Sequence, residues 1–170
     1  MLDGGGIMIN KQIIMYLLSR IEKFDDYGKA IILEITSKYE PKNEEETFDI
    51  MNHLYNLLKL VNGSTILGTI KIFLNFATSD PNLMDQVIER VKGPLLTLMS
   101  SRGDDDEIKY VAVCHICELV NMGAGKHLIN DYKRFFCQAN DPIYIQEKKL
   151  EIMVALTENS NLTAVLNELG

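Results

Sequence analysis

The stretch Lys133–Leu156, KRFFCQANDPIYIQEKKLEIMVAL, decides the fold. Lys133-Arg134-Phe135-Phe136-Cys137 reads as the end of one apolar helix, and Gln138-Ala139-Asn140 as a short connection. Asp141-Pro142 then opens a second helix. Asp141 is expected as its N-cap and Pro142 in its first position, where the missing N–H would lack a partner in any case. From Ile143 onward, Ile145, Ile152 and Leu156 share one face, while Leu150, Met153 and Val154 share another. A helix apolar on more than one side is expected to be packed between neighbours.

Upstream, apolar segments alternate with punctuating turns. Ile7 to Phe24 is expected as a helix, because Ile13, Ile14, Leu17, Leu18 and Ile21 recur at three- and four-residue steps. Asp25-Asp26-Tyr27-Gly28 breaks it. Lys29 to Tyr39 follows; its run of Ile31, Ile32, Leu33 and Ile35 would suit a strand, but Glu34 and Lys38 at i,i+4 favour helix. Glu40-Pro41-Lys42 is a turn. Asn43 with Glu46 three residues on resembles a capping box, and predicts a helix whose core face is Phe48, Met51, Leu54, Tyr55 and Leu58. Gly63 is expected to end that helix in a left-handed conformation, and Ser64 to cap the next, whose stripe is Ile66, Ile70, Phe73 and Ala77.

Asp80-Pro81 repeats the Asp-cap, Pro-first arrangement. Leu83 to Lys92 is expected to stop at Gly93-Pro94, since Pro94 cannot donate to the preceding turn, and Leu95 to Ser101 to resume the helix. Asp104, with Glu107, should start a helix from Asp105 to Met122 that is apolar nearly all round, and Gly123-Ala124-Gly125 should stop it. His127 to Phe136, Pro142 to Glu158 and Leu162 to Leu169 complete the chain. Pro41 and Pro81 stand 40 residues apart, and about ten short helices without a strand, paired near that period, predict an all-α fold: an α-solenoid of HEAT- or armadillo-like helix pairs.

The totals agree with a folded chain. Of 170 residues, 46% are hydrophobic and 24% charged, which is enough apolar matter for a core and excludes disorder. The net charge of −7 comes from 24 acidic and 17 basic side chains, with no basic stripe of the kind that nucleic-acid binding needs. Lys148-Lys149 and Lys133-Arg134 are pairs only, and read as solvated helix ends. Three cysteines make no disulfide framework and fit a reducing, cytosolic compartment. No apolar run reaches the roughly 18 residues of a membrane span. Residues 1–9, with Asp3-Gly4-Gly5-Gly6, read as a flexible lead-in or an artificial junction rather than a signal peptide. The Asn-x-Ser/Thr matches at Asn62 and Asn161 are then chance.

Candidate chemistry is sparse. Cys114-His115-x-Cys117 brings two thiols together at helical i,i+3 spacing, but a structural zinc site needs a second ligand pair. A haem attachment needs His where Glu118 stands. Both cysteines and His115 therefore read as core or groove residues. Gly123-x-Gly125-Lys126 fails as a phosphate loop, with Val120 in place of the opening Gly and His127 in place of Ser/Thr. Asp104-Asp105-Asp106 lacks the alternation of a calcium loop and reads as an acidic helix start. No catalytic, cofactor-binding or metal-ligating residue is assigned, no cofactor is implied, and no enzyme is expected.

Several motifs, in order, resemble a known family from about Asn10 to Leu169. Asp26-Tyr27-Gly28, Ile32-Leu33 and Tyr39-x-Pro41-Lys42 come first. Val91-Lys92-Gly93-Pro94-Leu95-Leu96 with Tyr110-Val111-Ala112 follows, then Phe135-Phe136 through Asn140-Asp141-Pro142-Ile143-Tyr144, and Val165 to Leu169, VLNEL. This set resembles the trunk of the β-adaptins, the large β subunits of clathrin-adaptor-type coat complexes. The KGPLL form, with Val113-Cys114-His115 downstream, most resembles the β subunit of the fourth adaptor complex.

The resemblance implies a right-handed superhelix, with residues 10–170 forming a central part of an adaptin trunk. Hinge, appendage and the first trunk helices would lie elsewhere, so it places no family functional residue on a number here. It implies a structural subunit of an adaptor complex in vesicle-mediated protein transport, scaffolding cargo selection and coat assembly. The implied partners are a second large adaptin, a medium and a small chain, with peripheral attachment to trans-Golgi, endosomal or coated-vesicle membranes. Composition alone equally permits another helical-repeat scaffold, such as a coatomer-type subunit, a nuclear transport receptor or a phosphatase scaffold.

Overall fold

Asparagine and aspartate set the helix starts. In the computed structural model, which describes residues 9–103, 105–157 and 162–169, Asn10 accepts the Ile13 N–H at 2.9 Å and opens α1, Lys11–Leu18. A 3-10 turn, Ile21–Lys23, finishes that segment, so the helix is shorter than the apolar run. Residues 7 and 8 of the expected helix lie outside the described residues. Asp25 accepts the Gly28 N–H at 2.8 Å and caps α2, Asp26–Ser37. The expected break thus falls at Phe24 and Asp25, both extended, while Asp26-Tyr27-Gly28 is already the first turn of α2.

Asn43 accepts the Glu46 N–H at 2.9 Å and caps α3, Glu44–Leu54. The expected capping box is shifted by one residue. The Glu46 carboxylate takes the Lys42 N–H at 3.0 Å and the Tyr39 hydroxyl at 2.9 Å instead of the cap's own N–H. With Glu46 turned inward, the buried face of α3 is Thr47, Ile50, Met51 and Leu54, continued by Leu57 and Leu58 in a 3-10 turn, Tyr55–Lys59. Phe48 and Tyr55, expected in the core, are more than a third exposed.

Asn62 and Gly63 do not close this segment. Asn62 accepts the Thr65 N–H at 2.9 Å and caps α4, Gly63–Ala77, so Gly63 is its first helical residue and Ser64 is not the cap. The preceding segment had already ended by tightening into 3-10 geometry, which satisfies its last carbonyls locally. The predicted stripe Ile66, Ile70, Phe73 and Ala77 is buried, joined by Leu67, Ile72 and two threonines, Thr65 and Thr69. Thr69 spends its hydroxyl on the Thr65 carbonyl at 2.9 Å.

Asp80 caps α5, Pro81–Met99, as expected, accepting the Asn82 N–H at 2.9 Å. The break at Gly93-Pro94 does not occur, and Pro94 lies inside the helix. Val91, Leu95, Leu96 and Met99 are buried on both sides of it, and this continuous apolar face outweighs one missing hydrogen bond. Asp105 accepts the Ile108 N–H at 3.1 Å and caps α6, Asp106–Leu119; Asp104 lies outside the described residues. A wide turn, Val120–Ala124, ends α6 at Gly123, whose φ of 93° is the left-handed conformation a glycine adopts without penalty. A short α7, Gly125–Leu128, passes into a 3-10 segment, Ile129–Phe135.

α8, Ile143–Leu156, starts one residue after Pro142, whose carbonyl accepts the Ile145 N–H at 2.9 Å. Asp141 makes no cap bond. Ile145, Ile152, Met153 and Leu156 are buried and Leu150 is half-buried, but Val154 is 67% exposed, so the second predicted side of α8 is only partly enclosed. α9, Leu162–Leu169, closes the described chain. Among the described residues there is no strand, and the all-α, helix-pair class expected from the sequence is the fold.

Two compact units make up the chain, Met1–Val87 and Ile88–Gly170, the boundary falling within α5. In the first, α2 and α4 run parallel. The α4 cap Asn62 donates to Asp26 at the start of α2 at 3.0 Å, and a Cβ at Gly68 would sit 3.1 Å from Leu33 midway along. In the second, α6 and α8 are parallel: the rings of Tyr110 and Tyr144 meet edge-on at 5.2 Å near the helix starts, and Cys117 meets Glu151 at 3.4 Å further on. The separations are 36 residues for Asn62 and Asp26 and 34 for Cys117 and Glu151. The packing repeat is therefore shorter than the 40 residues between prolines. Pro41 and Pro81 mark where loops hand over to helices, whereas side-chain contacts mark which helices stack.

Candidate functional site

The α6–α8 face gathers a cluster of polar side chains. Lys149 lies on the buried face of α8, one turn after Ile145 and three residues before Ile152, and its side chain is 3% exposed. The Asp141 carboxylate meets its ammonium at 2.6 Å and also accepts the Gln138 N–H at 2.8 Å. Asp141 thus ties the connection before α8 to the helix interior, and Lys149 is no solvated helix end. The signal was present in the sequence: a lysine at an apolar helical position needs an anion within reach, and Asp141 is two turns upstream.

Lys148, on the neighbouring face, pairs with Glu151 at 2.9 Å. Glu151 also accepts the Cys117 thiol at 3.4 Å, and Asn121 approaches that sulfur at 3.8 Å. Burial, then the Glu151 carboxylate, push the Cys117 thiol above its ordinary range. The lysine ammonium, then the thiol, hold the Glu151 carboxyl below its own. A thiol held protonated beside a carboxylate is a weak nucleophile and a weak metal ligand. The Cys114 side chain hydrogen-bonds Tyr110 and so raises the phenol's pKa. Among the described residues no group of three or more His, Cys, Asp or Glu is arranged to hold a metal ion.

Cys114, Cys117, Glu118, Asn121, Met122 and Lys148 line an open cleft of about 470 Å³ between the two helices. Met122, on its lining, is 58% exposed, and Ile143, outside it, 74%. His115, read as a core or groove residue, is half-buried. At the Gly123–Lys126 turn, His127 Nδ1 lies 2.7 Å from Glu89, which Lys92 also approaches at 3.2 Å. The His127 ring and then Lys92 hold the Glu89 carboxyl below its ordinary range, so this turn anchors α5 to α7 through side chains. These contacts fix helices against one another and leave mixed apolar and polar faces exposed. No helix among the described residues is long and apolar enough to cross a membrane.

The sequence matches the family described as Adaptin N terminal region over residues 7–170. It is 39% identical over 165 residues to AP-4 complex subunit beta-1 of Mus musculus, covering 97% of this chain and 22% of that protein. It is 39% identical over 162 residues to Beta-adaptin-like protein A of Arabidopsis thaliana, covering 95% and 19%. With AP-1 complex subunit beta-1 of Homo sapiens the identity is 30% over 164 residues, covering 95% and 17%. The chain thus spans about a fifth of the length of these relatives.

Proposed function

The chain belongs to the adaptin N-terminal-region family, and from that premise we propose that it is a trunk segment of the β subunit of an adaptor complex, acting in vesicle-mediated protein transport as a non-enzymatic scaffold. The observation that carries this reading is the parallel stacking of α2 on α4 and of α6 on α8 at a nearly constant register, within a family match covering residues 7–170. A stack of this kind binds through extended surfaces formed by successive helices, so affinity resides in the assembled trunk rather than in one pocket. Residues 10–170 form the trunk segment and 1–9 a lead-in, although the family match begins slightly earlier, at residue 7. The partners are a second large adaptin, a medium chain and a small chain. The complex they form is cytosolic and docks peripherally on trans-Golgi, endosomal or coated-vesicle membranes.

The test is affinity purification of the full-length parent from its own cells. It is expected to recover a second large adaptin with a medium and a small chain in roughly equal amounts. Recovery of a nuclear-transport GTPase or a phosphatase catalytic subunit in their place would overturn the assignment.

A further inference from the structure

A second cleft, of about 440 Å³, opens in the first unit between the Ser19–Lys23 turn and the stretch Asn52–Asn56. Leu18 and Ile21 form its floor and are 2% and 1% exposed. Its rim is Ser19, Arg20, Lys23, Asn52, His53 and Asn56, with Glu22 the one carboxylate. We propose that this cleft binds the phosphoryl group of a phosphorylated peptide.

The chain as a whole is acidic, at −7, and three other lysines of this unit are matched with carboxylates: Lys11 with Glu46 and Asp49, Lys29 with Asp26, Lys38 with Glu34. Arg20 and Lys23 have no carboxylate within 4.0 Å among the described residues. The Arg20 guanidinium instead rests over the Tyr16 ring, 4.6 Å from its centroid. Stacking holds the planar fork in place while leaving its N–H donors free, the condition under which arginine grips a phosphoryl group with paired hydrogen bonds.

The other rim groups suit the same ligand. His53 Nδ1 lies 2.9 Å from the Asp49 carbonyl, which only accepts, so the proton sits on Nδ1 and Nε2 is left as an acceptor for a backbone N–H of the peptide that flanks the phosphoryl group. Asn52 and Asn56 stand one helical turn apart and offer amide donors. Two cations, one of them held over a ring, and two amide donors against one carboxylate favour an oxyanion, while the imidazole acceptor suits the peptide backbone beside it. The volume falls in the range of small-ligand sites, about 300–1,000 Å³, which admits a phosphoryl group and its flanking backbone. A lipid headgroup shares that chemistry, but a membrane surface is held by clusters of about 4–8 basic residues. Two cations on an acidic protein do not make such a patch, so the peptide is the favoured source.

The experiment titrates the 170-residue chain with a short peptide carrying one phosphoserine among glycines and alanines. Its unphosphorylated twin, inorganic phosphate, and phosphatidylcholine vesicles containing a phosphatidylinositol phosphate are run alongside. Binding is read from the His53 ring and the Asn52 and Asn56 side-chain amide resonances. The phosphopeptide is expected to shift all three saturably and the twin none. Arg20→Gln and Lys23→Gln should each weaken it about tenfold, the loss of one charge-assisted contact. Both side chains are exposed, so the fold is kept, and Lys59→Gln, whose ammonium rests on Tyr55 outside the cleft, should leave binding unchanged. The proposal is overturned by equal binding of the twin, or by undiminished binding in the Arg20 and Lys23 variants. Inorganic phosphate binding as tightly as the peptide, or vesicles binding through these residues while the peptide does not, would also overturn it.

Discussion

At the residue scale, Asp141 separates two explanations with different magnitudes. A lost N-cap costs about 1 kcal/mol. Removing one member of a buried ion pair costs about 3–5 kcal/mol, because the remaining charge is stranded. With Lys149 3% exposed and Asp141 10%, the second applies. Asp141→Ala is expected to lower the urea midpoint by the larger amount at unchanged slope, and Asp141→Ala with Lys149→Met to recover most of the loss. A loss near 1 kcal/mol, with no rescue, would return Asp141 to the role of a cap. Two glycines make a second contrast. A Cβ would meet nothing within 4 Å at either Gly93 or Gly123, yet only Gly123 has positive φ. Gly93→Ala should therefore stabilise by about 0.5–1 kcal/mol through helix propensity, and Gly123→Ala should destabilise by about 1–2 kcal/mol through backbone strain. Thermal unfolding of the two variants side by side checks both signs.

At the element scale, the helix starts were largely legible. Asn43 and Asp80 cap as their sequence positions predict. Where the reading missed, a second use of the same residue type had won. Asn62 served the helix after it rather than the one before, and Asp141 answered a buried lysine. Pro94 was misread because propensity is local while the burial of Val91, Leu95 and Leu96 is tertiary. Glu46 shows how a cap motif acquires a pH dependence. The Lys42 N–H first, then the Tyr39 hydroxyl, hold its carboxyl below the ordinary 4.5. A carboxyl with a folded pKa below its unfolded one binds fewer protons when folded. Its stabilisation is therefore present above pH 4.5 and lost as pH falls through the depressed value. Wild type should accordingly exceed Glu46→Gln in stability at neutral pH, and the gap should narrow below 4.5. A gap that stays constant down the acid limb of a denaturation series would remove Glu46 from the account.

At the scale of the whole molecule, the class of fold was visible in helical periodicity and turn chemistry, but its register was not. Nothing in the spacing of prolines says that Tyr110 meets Tyr144 or that Cys117 meets Glu151, since these contacts depend on how far each helix rotates about its axis. The α6–α8 cleft was half hidden for the same reason: Cys114, Cys117, Glu118, Asn121 and Met122 follow helical spacing along one face, but Lys148 meets them only once that register is set. Register also predicts where the chain tolerates length changes. One alanine inserted between Arg102 and Gly103, both exposed in the connection before α6, lengthens a loop and should cost well under about 1 kcal/mol in closure entropy. The same alanine inserted after Cys114 rotates the rest of α6 by about 100° relative to α8. Ile116, Cys117 and Leu119, all buried, then leave the core, and burial of each aliphatic side chain contributes about 1.5–3 kcal/mol. The loop insertion should keep the wild-type circular dichroism spectrum and urea midpoint, while the helix insertion should unfold the second unit in plain buffer. Equal tolerance of both would mean that α6 and α8 are not locked in register, and the stacking argument for a scaffold would fail with it.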